Sequence, residues 1–211
     1  MTEVLDLQDV TIVRGTTTIL EGLSWTVREG ERWVVLGRNG AGKTTLLRIL
    51  GGLEPSDTGE VRPGHGLKLG YYAQEHETLD LSRTVVENLR SAAPDLTDTQ
   101  VRSVLGSFLF SGDDADKPAN VLSGGEKTRL ALAALVVSSA NVLLLDEPTN
   151  NLDPASREEI LAALRGYAGA VVLVSHDEGA VAALNPERVL LLPDGAEDLW
   201  GPDYLDLIAL A

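Results

Sequence analysis

The clearest chemistry in the chain sits at Gly37-Arg38-Asn39-Gly40-Ala41-Gly42-Lys43-Thr44, which fits the pattern G-x-x-x-x-G-K-[ST]. It follows the apolar run Trp33-Val34-Val35-Leu36 and leads through Thr45 into a helical pattern. Glycines let a backbone wrap tightly, so that successive N–H groups point inward at phosphate oxygens. The helix that follows adds partial positive charge at its start. Lys43 is placed to bridge β- and γ-phosphate oxygens, and the Thr44 hydroxyl to hold Mg²⁺. The expected phosphate site is therefore Gly37, Arg38, Asn39, Gly40, Ala41, Gly42, Lys43, Thr44 and Thr45.

A second cluster lies at Val142-Leu143-Leu144-Leu145-Asp146-Glu147, where two carboxylates end an apolar strand pattern. Ligands of open α/β sheets bind at that edge. Asp146 is the expected Mg²⁺ carboxylate, direct or through a second shell, opposite Thr44. Glu147 is placed to polarise an attacking water as general base. The third cluster is Leu122-Ser123-Gly124-Gly125-Glu126-Lys127. Ser123 and Glu126 have the spacing of a helix capping box. That does not explain two glycines in a first turn, where each costs up to about 1 kcal/mol relative to alanine. Bare N–H groups at a helix start suit a phosphate, which makes Ser123, Gly124 and Gly125 binding candidates.

These residues need a scaffold, and the pattern around them is α/β with a largely parallel sheet. Strands are expected at Val4–Val13, Leu20–Val27, Trp33–Leu36 and Leu67–Ala73. A helix runs from Thr44 to Leu53, closed by Gly51 and Gly52 with Pro55 beyond. From about 75 to 121 the chain changes character, and there Thr97 with Gln100 has capping-box spacing ahead of Val101, Val104, Leu105 and Phe108. This reads as a small helical insertion. The α/β alternation resumes with helix Ser123–Val137, strand Asn141–Leu145, helix Pro154–Arg165, strand Ala170–Val174, a short helix at Gly179–Leu184 and a strand at Val189–Leu192. The tail from Asp198 is acidic and amphipathic, and its pattern assigns no element.

Composition narrows the function classes. The 211 residues are 44% hydrophobic and 23% charged, enough for one sizeable core. No cysteine is present, which rules out disulfides, thiolate metal sites and cysteine nucleophiles. A net charge of −15 repels nucleic acid and anionic lipid except where cations are locally gathered. The start has neither the positive region nor the apolar run of a signal peptide. The longest uncharged stretch, Leu130 to Leu145, is shorter than the ~18 apolar residues of a membrane span. A cytoplasmic location is expected.

Taken in order, these motifs resemble the ATP-binding cassette (ABC) ATPases, and the resemblance covers essentially the whole chain. It implies a P-loop α/β cassette over residues 1–211, with an antiparallel β subdomain and the helical insertion. ATP and Mg²⁺ are the implied cofactors, and hydrolysis of ATP is the implied activity. Ser123, Gly124 and Gly125 then bind the γ-phosphate of a nucleotide held by a second cassette. Gln74, in Tyr71-Tyr72-Ala73-Gln74-Glu75, falls on the family's glutamine near the metal and the attacking water. His176, in Val174-Ser175-His176-Asp177, falls on its switch histidine, and Asn151-Leu152-Asp153 on its D-loop. Arg14 stands where the family usually stacks an aromatic ring on adenine, and a guanidinium also stacks on planar rings.

Glu147-Pro148-Thr149-Asn150-Asn151-Leu152-Asp153 is similar to the ABC-F branch, whose paired cassettes act on ribosomes. So are Gly106-Ser107-Phe108-Leu109-Phe110 and Gly201-Pro202-Asp203-Tyr204-Leu205. The chain resembles the second cassette of that pair, and its expected partners are another cassette and the ribosome. The alternative reading is the motor subunit of a membrane transporter, bound to a transmembrane subunit. A pure ATP-binding module is disfavoured, because it has no need of Glu147 and His176.

Overall fold

The computed structural model describes residues 2–73 and 78–210. Two sheets carry the site. The first is antiparallel, with β1 (Glu3–Arg14) between β2 (Thr17–Arg28) and β4 (Thr58–Pro63). The second has the order β5-β6-β7-β3-β8-β9, formed by β3 (Arg32–Leu36), β5 (Leu69–Tyr72), β6 (Val142–Asp146), β7 (Ala170–Val174), β8 (Arg188–Leu191) and β9 (Ala196–Leu199). Every pairing in it is parallel except β8 with β9.

The parallel strands are apolar on both faces because each face meets a separate core. Val34, Leu36, Leu143, Leu145, Val171 and Leu173 pack with the helices on one side. Their alternating neighbours Trp33, Val35, Val142, Leu144 and Val172 pack against the antiparallel sheet and α1 (Lys43–Leu50). Such strands read as continuous hydrophobic runs, as parallel sheets covered on both faces do. The join between the two sheets is marked by Trp25 of β2 and Trp33 of β3, which meet edge to face with centroids 5.1 Å apart.

The helical side holds α2 (Val85–Ala92), α3 (Asp98–Ser107), α4 (Gly124–Val137), α5 (Pro154–Gly166) and α6 (Glu178–Leu184). The capping box expected at Thr97 and Gln100 is formed, and α2 carries a second one at Thr84 and Glu87. Arg129 of α4 joins the segment before it to this side. Its guanidinium donates to Phe108 O at 2.9 Å and lies 4.9 Å from the Phe110 ring centroid.

Several boundaries differ from expectation. The first helix stops at Leu50, because Gly51 and the left-handed Gly52 (φ 70°) turn the chain three residues before Leu53. β2 starts at Thr17, ahead of Leu20, since the exposed Thr17 and Thr18 pair with Arg14 and Val13 of β1. β4 is a strand for the same reason: only Val61 packs, and the other five residues are exposed. In the acidic tail, β9 adds antiparallel to β8, and α7 (Leu205–Leu210) tucks Ile208 into the helical core. Among the described residues no helix is long and apolar enough to cross a membrane.

Candidate functional site

The strand order sets the site. β6, β7 and β3 are consecutive and parallel, so the loops after Leu36, Asp146 and Val174 emerge at one edge. They bring Lys43, Thr44, Asp146, Glu147 and His176 into one cleft of about 320 Å³. Arg14 and Ile19 reach the same cleft from the antiparallel sheet.

The phosphate loop is shaped by contacts that only glycine permits. Gly42, the N-cap of α1, has φ 94°, and a Cβ there would lie 2.5 Å from Ile19 Cγ2. As the N-cap, Gly42 brings no side chain to cap α1, which leaves the first N–H groups of the helix to suit a ligand. Lys43 is buried, and its ammonium curls back to donate to the carbonyls of Gly37 and Arg38. Burial lowers its pKa, while Glu147 and Asp146 oppose that change. Asn39, Gly40 and Thr45 also line the cleft, whereas Ala41 is buried in the β-side core.

Opposite the loop, the Asp146 carboxyl is raised by burial and partly relieved by a hydrogen bond with the Thr44 side chain. Thr44 and Asp146 are hard oxygen donors facing one another. Among the described residues, no three acidic, histidine or cysteine side chains gather as a complete metal cage. This donor set fits Mg²⁺, which typically takes one or two protein oxygens and completes its shell with phosphate and water.

Glu147 adopts left-handed backbone geometry, φ 50°, which costs a non-glycine residue of order 1 kcal/mol. Its N–H donates to Val174 O at 2.9 Å, and its side chain is 9% exposed. Oε2 accepts from the His176 backbone N–H at 3.2 Å, and the Ser175 hydroxyl also bonds the carboxylate. Oε1 lies 2.9 Å from His176 Nε2, and among the described residues it has no hydrogen-bond donor. Burial pushes the Glu147 carboxyl up to about 7; Asp146 adds to the shift, while the His176 N–H, Lys43 and Ser175 oppose it. His176 is lowered by burial and Lys43, against Asp146. A buried carboxylate poised near neutrality has the properties of a general base.

The Glu147 environment predicts a pH-dependent stability. This carboxyl holds its proton more tightly folded than unfolded, so its contribution is complete below about pH 4.5 and lost as pH rises through about 7. In nucleotide-free protein, Glu147→Gln should therefore be more stable than the parent at pH 8, by up to about 3 kcal/mol. The gap should shrink towards pH 5. Urea unfolding at both pH values tests this, and parallel pH profiles for the two proteins would contradict it.

Other expected residues fall elsewhere. Ser123 caps α4 by accepting from Glu126 N at 3.2 Å, and Glu126 accepts from Ser123 N at 2.7 Å. Ser123, Gly124 and Gly125 are outside the lining of the Lys43 cleft. A Cβ at Gly124 would meet nothing within 4 Å among the described residues, so contacts with them do not account for that glycine. Asp153 caps α5 through Ser156 N at 3.0 Å, as its place before Pro154 suggests. Arg14 lines the cleft with its guanidinium held by Glu54 at 2.5 Å and Asp57 at 3.7 Å. Gln74 lies outside the described residues. Ser175 is the contact that motif reading passes over, although it stands between two residues that the motif names.

A mostly parallel sheet, an antiparallel sheet on its other face and this loop-and-carboxylate cleft define an ATP-binding cassette. The family model described as ABC transporter matches residues 20–150, and the chain belongs to that family of ATPase cassettes. It is 45% identical over 203 residues to YdiF of Bacillus subtilis (strain 168), covering 96% of this chain and 32% of YdiF. With YheS of Escherichia coli (strain K12) the identity is 41% over 188 residues, 89% of this chain and 30% of YheS. ABC transporter F family member 5 of Arabidopsis thaliana is 39% identical over 180 residues, 84% of this chain and 26% of that protein. The chain thus spans about a third of the length of these relatives, which include ABC-F family members. Among solved structures, the ATP-binding cassette MJ0796, dimeric in a post-hydrolysis state with ADP and Pi bound, superposes with TM-score 0.75 at 25% identity. That likeness covers 92% of this chain and 98% of MJ0796.

Proposed function

We propose that residues 1–211 form one cassette, with its helical subdomain at about 75–121, that hydrolyses ATP with Mg²⁺ after closing head to tail on a second cassette. We further propose that it works as an ABC-F-like factor on the ribosome, or as part of one, in the cytoplasm. The observation that carries the shared-site reading is the position of Ser123, Gly124 and Gly125. They open a fourteen-residue helix with exposed glycine, apart from the cleft that holds Lys43 and Glu147. A second cassette turned head to tail would supply the nucleotide those N–H groups suit. The dimeric state of MJ0796 supports the same arrangement.

In this reading, the loop from Gly37 to Thr45 wraps the phosphates, and Lys43 leaves its own carbonyls for β- and γ-phosphate oxygens. Thr44 and Asp146, with Gln74, would hold Mg²⁺, which when bound neutralises charge developing on the phosphoryl oxygens. Glu147 orients the attacking water and takes its proton, and His176 keeps that carboxylate in place and senses the γ-phosphate. Contacts to the γ-phosphate disappear on hydrolysis, so ATP favours the closed pair and ADP releases it. The ABC-F relatives and the motif Asn150-Asn151-Leu152-Asp153 support the ribosomal assignment.

The test is a density gradient of host lysate containing tagged Glu147→Gln chain with ATP and Mg²⁺. Migration with ribosomes that disappears when ADP replaces ATP is the expected result. Recovery with membranes would instead assign the chain to a transporter, and recovery with neither would remove the ribosomal role.

A further inference from the structure

α5 begins beside the start of α4. A Cβ on Gly125 would lie 3.8 Å from Asp153 Oδ2 and 3.8 Å from Leu152 Cδ2. In the first turn of α5, Arg157 sends a planar fork towards the loop after β7. Its Nε donates to Asp177 Oδ2 at 2.8 Å, and its Nη2 to Oδ1 at 2.6 Å. Two-point pairing of this kind fixes orientation as well as charge, which an ammonium cannot do. Asp177 also accepts from the backbone of Gly179 at 2.8 Å and Ala180 at 3.3 Å, and bonds the Thr149 side chain from the loop after β6. The residue joined to it is His176, whose N–H and ring both approach Glu147.

Gly179 shows that the fork is built in. A Cβ at that position would stand 2.1 Å from Arg157 Nη2, so the guanidinium occupies the space a side chain would take. The sequence Asp177-Glu178-Gly179-Ala180 thereby gives Arg157 its access to Asp177.

We infer that Arg157 is a positioning residue for hydrolysis. By clamping Asp177 from α5 it holds His176 against Glu147, and it ties this chain's carboxylate to the segment beside Gly125 where the second cassette's nucleotide would dock. The inference rests on the head-to-tail reading above. A line of contacts then runs from Gly125 through Asp153, α5, Arg157, Asp177 and His176 to Glu147, so that the state of one composite site reaches the base of the other.

Three variants of the chain test it: Arg157→Gln, which removes the fork; Arg157→Lys, which keeps the charge on a single donor atom; and Gly179→Ala, which displaces the fork and keeps the arginine. Alanine suits a helix better than glycine, so Gly179→Ala should fold as the parent does, with an equal urea midpoint. Loss of positioning at about 1 Å is worth up to ~100-fold in rate. Arg157→Gln and Gly179→Ala should lower kcat for Mg-ATP by about 10- to 100-fold with KM for ATP within about twofold of the parent, and Arg157→Lys should recover part of the loss. Retention of kcat in both disruptive variants would overturn the inference, as would a rise in KM matching the fall in kcat.

A chain that hydrolyses no ATP at any concentration would count against the shared-site function instead. The inference is then read from the His176 ring by NMR in nucleotide-free protein, with His176→Gln identifying its signal among three histidines. The groups facing the ring are Lys43, Asp146 and Glu147, with Asp177 adjoining it. In Arg157→Gln the His176 ring resonances should shift and broaden as the loop loosens, and resonances unchanged from the parent's would overturn the clamp.

Discussion

Glu147→Gln should reduce ATP turnover by about 10²- to 10⁴-fold and leave nucleotide binding intact, because the substitution keeps the shape of the side chain and removes only its ability to take a proton. The structure gives three reasons to expect an effect at the large end. The carboxylate is buried and raised to about 7, its Oε1 has no hydrogen-bond donor among the described residues, and its backbone is held in a left-handed conformation. Since kcat/KM reports ionisations of the free enzyme, the parent's profile should rise with pH through about 7 as Glu147 loses its proton. The variant should lack that limb. With hydrolysis blocked, ATP should also hold the closed pair long enough to be seen as a dimer by size-exclusion chromatography. Turnover within threefold of the parent would remove Glu147 from the chemistry.

Lys43→Ala should weaken ATP binding by at least about 100-fold, equivalent to about 2.7 kcal/mol. Lys43 is a cation of the cleft lining that comes from the phosphate loop itself, and it is buried beside both carboxylates. Its bonds to Gly37 O and Arg38 O keep the ammonium over the place where phosphate oxygens would sit. Isothermal titration of the Glu147→Gln and the Lys43→Ala, Glu147→Gln proteins isolates binding from turnover. Affinities within threefold of each other would exclude Lys43 as a phosphate ligand.

Much of this site is legible in the residues because local chemistry and function coincide there. The loop from Gly37 to Thr44 announces itself by glycines at positions where a side chain would collide, as at Gly42 with Ile19. Asp146 and Glu147 are readable because they end a strand whose apolar run has no polar break. Strands covered on both faces, such as β6 and β7, show as runs of Val, Leu and Ala, and their expected limits fall within a residue of those observed. β4 is invisible by the same logic: its Thr58, Gly59, Glu60, Arg62 and Pro63 face solvent, and only backbone pairing with β1 makes it a strand. Arg14 shows the limit of reading a position by resemblance. Its place in the cleft follows from the β1–β2 hairpin, but its engagement by Glu54 and Asp57 comes from residues some forty positions away.

By itself the sequence determined the phosphate loop, the acidic strand end, the helix caps at Thr97, Ser123 and Asp153, and the α/β class. Each depends on residues within a few positions of one another, where backbone geometry and hydrogen bonding act directly. Tertiary structure decided the strand order that sets Lys43 against Glu147, the displacement of Glu147 to about 7, and the fork from Arg157 to Asp177. Those properties arise from desolvation and contact between elements distant in the chain, and a carboxylate or a guanidinium carries no local mark of what will be packed around it.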